Sequence, residues 1–203
     1  MIRKSLALLA VLALSACAAD REFAPAAEVA AARFVADAPP SITLFTVIST
    51  RNGSGAHSGL LINGSERVMY DPAGTWHHPK LPEQYDMHYG MNDKMIAFYV
   101  DYHARQSFDV MEQTVIVTPA QAEAAIARAR AYGAAQKGYC AMSISTILSG
   151  VPGFESIDKS LSPKKLSAGF AAIPGANSKR ITDDDDDNNH GVLLMQANGE
   201  PLL

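Results

Sequence analysis

The first pattern along the chain is an apolar run, Leu6 to Leu14, set between Arg3-Lys4 and the small residues Ser15-Ala16. It is too short for a bilayer span, which needs roughly 20 apolar residues. A basic start, a short apolar centre and small residues after it are the layout of an export signal covering residues 1–16. Beyond it, Ala-rich Ala24–Ala36 predicts a helix stopped by Pro39-Pro40. Residues 17–40 then read as an N-terminal tether, and 41–203 as one domain. Ile42–Ser49 is β-branched and apolar, and predicts a strand. His57–Ile62 and Glu66–Asp71 are two more strands around Asn63-Gly64-Ser65, a hairpin signal. Residues 75–92 contain Pro79 and Pro82, keep no period and read as irregular. Asp93–Arg105 predicts a helix and Phe108–Val117 a strand. Thr118-Pro119 opens a helix to about Gln136, with Thr118 as N-cap and Lys137-Gly138 as its close. Helices over Cys140–Leu148 and from Ser162-Pro163 to Ala171, and a last strand at Gly191–Gln196, complete the order. Strands, then helices, then a strand predict an α+β fold: a small antiparallel sheet with packed helices.

Composition narrows this picture. Apolar residues make up 48% and charged residues 19% of the chain, which are globular values. A net charge of −4 argues against a nucleic-acid partner. There are only two cysteines, Cys17 and Cys140.

The tetrapeptide Leu14-Ser15-Ala16-Cys17 resembles the lipobox of bacterial lipoproteins. That resemblance implies cleavage before Cys17 and a diacylglycerol on its sulfur. The implied location is the cell envelope, with Ala18 after the cysteine pointing to the periplasmic face of the outer membrane. An ordinary secreted protein cut near Ala16 or Ala19 is the other reading. If Cys17 carries lipid, Cys140 has no intramolecular partner. It is then either a buried core cysteine or a free thiol that needs explaining.

Three residues carry complementary chemistry. Cys140 opens a helix, where free amides and the helix dipole favour a thiolate. His57 starts a strand and can hold the thiol's proton. Asp71 ends the next strand and can orient the imidazole. If Asn63-Gly64-Ser65 is the whole loop, Ile62 faces Glu66 and His57 faces Asp71, with Cβ atoms roughly 5 Å apart. A two-residue loop would turn Asp71 to the other face. Asp71-Pro72 is also an ordinary way to begin a turn.

The segments Gly55-Ala56-His57-Ser58-Gly59-Leu60-Leu61-Ile62, Val68-Met69-Tyr70-Asp71-Pro72 and Gly138-Tyr139-Cys140-Ala141 together resemble the circularly permuted branch of the NlpC-type, papain-like superfamily. There the His strand precedes the Cys helix. The likeness covers about residues 42–150. It implies His57 as base, Cys140 as nucleophile and Asp71 as the third polar residue, although many members carry that group further back in the strand, where this chain has Met69 and Tyr70. Some relatives cleave cell-wall peptide amides; others, related to lecithin retinol acyltransferase, act on acyl esters and lipids. Tyr70, Trp76 and Tyr139 are the expected substrate contacts, and Tyr85, Tyr89 and Tyr99 are further aromatics for a groove. The expected partners are a membrane, through the lipid, and peptidoglycan peptides. A non-catalytic envelope protein that binds peptidoglycan or a protein is the rival reading, and a thiol-dependent acyltransferase or lipid hydrolase the third.

No cofactor or metal is expected. His77, His78, Asp86 and His88 lack a helical ligand spacing. The Asp183–Asp187 run lacks the Gly and Glu of a calcium loop and reads as solvated.

Overall fold

A computed structural model of the chain describes residues 23–188. Cys17 and the strand expected at Gly191–Gln196 lie outside the described residues. The fold is α+β. The elements are α1 (Ala26–Ala31), β1 (Ser41–Ser49), β2 (Gly55–Asn63), β3 (Arg67–Tyr70), β4 (Glu83–Gln84), β5 (Met87–Tyr89), α2 (Asp93–His103), β6 (Phe108–Ile116), α3 (Pro119–Tyr132), α4 (Cys140–Leu148), α5 (Pro163–Ala171) and β7 (Asn177–Ile181). The strands form one sheet in the order β4-β5-β3-β2-β1-β6-β7, and each neighbouring pair is antiparallel.

Alternation along the strands divides the core into two layers. Ile42 and Leu44 of β1, Leu60 and Ile62 of β2, and Val68 and Tyr70 of β3 face α3, α4 and α5, where Ile126, Ile144, Leu148, Leu166 and Phe170 are all buried. The intervening residues Phe45, Leu61 and Met69 face α2 and its Met95, Phe98 and Tyr99. Helices therefore cover both faces, which explains why β1 reads as almost continuously apolar.

Several boundaries differ from the sequence pattern for local reasons. In the β2–β3 hairpin Ile62 faces Val68 and Asn63 faces Arg67, so the loop is Gly64-Ser65-Glu66 and not Asn63-Gly64-Ser65. Asn63 stays in the strand because its side-chain amide donates to the Ala38 and Pro39 carbonyls. The helix expected over Ala24–Ala36 is only six residues long, and the chain after it meets the start of β3, where Phe34 O accepts from Arg67 N. The described part of the segment expected as a tether thus lies against the domain, with Ala24 N donating to Glu83 O and Phe34 O accepting from Arg67 N. Helix α3 carries a full capping box between Thr118 and Gln121, and ends at Gly133, whose φ of 75° suits glycine. That is earlier than Lys137-Gly138. Residues 75–92 contain β4 and β5.

The aspartate run is not simply solvated. Asp185 pairs with buried Arg105, and Asp187 accepts from the Ser107 backbone and hydroxyl.

Candidate active site

Helix α4 owes its position to one apolar stripe. Ala141, Ile144 and Leu148 follow the i, i+3, i+7 spacing and are fully buried against the first sheet face. Gly138, at φ 83°, turns the chain just before the helix. Cys140 is thereby fixed at the first helical position, where backbone amides have no intrahelical acceptor. Its thiol is hydrogen-bonded to the His57 ring and to the backbone amides of Ser58 and Ala141.

His57 comes from the bulged end of β2. The β1–β2 register slips there, with Val47 facing His57 and Ile48 facing Gly55, so Ala56 is the extra residue. Such bulges re-aim side chains. The His57 Nε2–H donates to Asp71 Oδ1 at 2.6 Å. Asp71 is not directly opposite His57. Extending the observed register puts Asp71 beside Gly59 and leaves His57 one step further on, a diagonal pair on the same face. The contact survives because both strands slip together and the parity of the pairing is unchanged.

Gly59 and Gly74 make room for the carboxylate. A Cβ on Gly59 would overlap the Tyr99 hydroxyl, and one on Gly74 would overlap Asp71 Oδ2. Into that space Tyr99 Oη donates to Asp71 Oδ1 at 2.9 Å. Tyr99 and His103 project from the same face of α2, four residues apart. Their rings lie 4.4 Å apart, and the His103 ring stacks on His57 at 5.6 Å. His103 Nδ1–H donates to the Tyr99 carbonyl at 2.8 Å, which leaves Nε2 as its lone-pair nitrogen. A cavity of about 250 Å³ runs along His57, Gly74, Thr75, Tyr102 and His103.

Electrostatics favour separated charges across the pair. Burial opposes charge on His57, but the Asp71 carboxylate and the Cys140 sulfur outweigh it and raise the imidazole from 6.5 to about 10. Burial likewise opposes charge on Asp71, yet His57 beside it draws the carboxyl down from 3.8 to about 2. Burial pushes the Cys140 thiol up, while the His57 hydrogen bond and charge and the two amides pull harder, so the net direction is down. The arrangement favours a protonated His57, backed by a buried carboxylate, beside a thiol whose ionisation is drawn downward. Burial, joined by the His57 charge, lowers His103 to about 4, and burial, joined by neighbouring His77, also lowers His88.

No family model, curated protein or solved structure matches the chain. The site's chemistry therefore stands on its own geometry.

Of the expected substrate contacts, only Tyr139, beside Cys140, is exposed. Tyr70 is fully buried and its hydroxyl donates to Gly133 O at 2.9 Å, so it belongs to the core. Trp76 is 2% exposed and packs edge-on against Tyr99 and His88. Among the other aromatics Tyr89 is buried, while Tyr85 is exposed against Phe23. Asp86 is a brace: its Oδ2 accepts from Ala73 N at 2.9 Å and Ala135 N at 2.8 Å. It thereby joins the turn after Asp71, where Ala73 has φ 55°, to the segment leading into Cys140. His77, His78, Asp86 and His88 form no convergent ligand group among the described residues.

The sign of the pH dependence follows from these shifts. Between pH 6.5 and 9 the unfolded Cys140 and His57 together hold one proton, as neutral imidazole and thiol. Folded His57 keeps its proton through this range, and once the lowered Cys140 thiol has ionised the folded pair also holds one proton and adds no slope. Below 6.5 the unfolded chain takes up protons that folded His103 and His88 resist, so stability falls as pH drops from 6.5 toward 4. Above 9 the unfolded thiol ionises while folded His57 keeps its proton to about 10, so stability falls again. Urea midpoints measured from pH 4 to 10 are expected to show a plateau between these two declines. A steady rise through pH 9–10 would contradict it.

Proposed function

We propose that the chain is a cysteine hydrolase of the cell envelope, held at the membrane by lipid on Cys17 and acting on amide bonds of cell-wall peptides or related acyl substrates. The observation that carries this reading is the convergence of Cys140, His57 and Asp71 from a helix start and two strands, with the thiol bonded to an imidazole that a buried carboxylate holds. The chain order, His strand before Cys helix, supports the permuted papain-like arrangement. The export signal and lipobox-like Cys17 support the location; no helix among the described residues is long and apolar enough to cross a membrane.

Asp71 occupies His57 Nε2, so Nδ1 is the nitrogen left for the thiol. The Cys140 thiolate attacks the carbonyl carbon, and the carbonyl π pair moves onto oxygen. The Cys140 amide at the helix start donates to that oxyanion. The oxyanion collapses, the C–N bond breaks, and Nδ1 gives its proton to the departing amine, leaving a thioester. Neutral His57 then takes a proton from water as the water attacks the thioester carbonyl. The acid is released, and thiolate and imidazolium return.

Incubating the protein with cell-wall peptides should release free amine and leave a transient acyl mass on Cys140. Cys140→Ala should lose both while melting at the wild-type temperature. Hydrolysis retained by Cys140→Ala would end the proposal.

A further inference from the structure

We propose that His57, Asp71 and His103 form a binding site for one divalent ion of the zinc class. This ligand set lies on the α2 side of the sheet, and His57 is the member that also contacts Cys140. One ligand atom from each of the three residues lies within 4.8 Å of the other two, and Asp71 and His103 are buried. Two features mark the group as more than an ion pair. Asp71 Oδ2 has no hydrogen-bond partner, although its side chain is fully buried. It points at Gly74, which lines the same cavity as His57 and His103. His103 is held by the Tyr99 carbonyl as the Nδ1–H tautomer, which presents Nε2 as a lone-pair donor. A backbone carbonyl on the far nitrogen is the usual support of a metal-bound histidine.

Two imidazoles and one carboxylate, with a cavity at the fourth position, are a donor set that suits Zn²⁺ and leaves room for a water. Zinc bonds of about 2.0–2.2 Å place tetrahedral donors roughly 3.3 Å apart, so binding draws the donors together from within 4.8 Å and tilts the stacked His57 and His103 rings toward a common point. Binding forms bonds to His57 Nε2, Asp71 and His103 Nε2, and the proton on His57 Nε2 leaves to solvent. If Cys140 acts as proposed above, the metal stops the reaction. A metal-bound imidazole is a weaker acid than an imidazolium, so Nδ1 no longer supplies the leaving amine with a proton. The binding itself does not depend on Cys140 being reactive.

The test is direct titration of the full-length protein with Zn²⁺, and with Co²⁺ for its spectrum. One ion per chain is expected in wild type and in Cys140→Ala. His103→Gln and Asp71→Asn should each weaken binding by at least about tenfold. The cobalt spectrum of wild type should be four- or five-coordinate without a thiolate charge-transfer band. The proposal is overturned by absence of binding in wild type, by undiminished affinity in a folded His103→Gln, by loss of binding in Cys140→Ala, or by a thiolate band. Because the readout is binding, a catalytically inert Cys140 would leave its outcome intact.

Discussion

Asp71→Asn is expected to slow alkylation of Cys140 at pH 7 by on the order of 10–100-fold, as the thiolate fraction falls. The substitution keeps the volume of a residue packed between Gly59 and Gly74 but removes the charge that outweighs the burial of His57. Without it the imidazole loses its main reason to hold a proton. The thiol in turn loses the charge and the hydrogen bond that lower it, and burial then pushes it upward. The Asn side chain can also turn its NH₂ toward Nε2 and impose the wrong tautomer. The check is the second-order rate with iodoacetamide, beside circular dichroism to confirm the fold. A rate within threefold of wild type would leave Asp71 with no part in activation.

The second large effect is expected at Gly59. In Gly59→Ala the new methyl would overlap Tyr99 Oη and come within 3.0 Å of its Cζ. The ring is fully buried against Phe45 and Trp76 and has little space to retreat. Overpacking of this kind costs about 1–3 kcal/mol. Removing the hydroxyl should relieve part of it. Tyr99→Phe alone loses the hydrogen bond to a charged carboxylate, worth about 1.5–3 kcal/mol. The double variant should therefore be more stable than the sum of the single changes by at least about 0.5 kcal/mol. Denaturation of the four proteins measures that coupling. Strict additivity would mean that the glycine is not there to admit Tyr99.

The parts of the molecule that the sequence displays are those where one local signal dominates. Helices α4 and α5 begin and end where expected, because an apolar stripe defines one and a Ser-Pro start defines the other. β7 is invisible by the same logic. Asn177–Ile181 is a mostly exposed edge strand of polar residues, held by its ladder to β6 and by Arg180 on Asp109. Asn63 looks like a turn residue and is a strand residue, since its partners lie far back at Ala38 and Pro39.

The candidate site divides in the same way. Cys140, His57 and Asp71 are legible from residue type and position on their elements. Tyr99 is legible only as a groove aromatic and His103 not at all, because their contacts with Asp71 and His57 depend on α2 crossing the sheet above β2 and β3. Their only local trace is a polar i, i+4 pair on a buried helix face. Asp86 carries no local trace of its bracing role, which needs the turn after Asp71 and the segment before Cys140 to meet at one carboxylate.

Native Cys140 is expected to react as a thiolate paired with a protonated His57. The most direct measurement is the rate of Cys140 alkylation as a function of pH in the folded protein. The expected profile rises at a pH well below 9, the ordinary thiol value, and stays flat through neutrality. A native thiol that reacts only after denaturation, or whose rate climbs only near pH 9, would contradict the pair and the hydrolase reading with it.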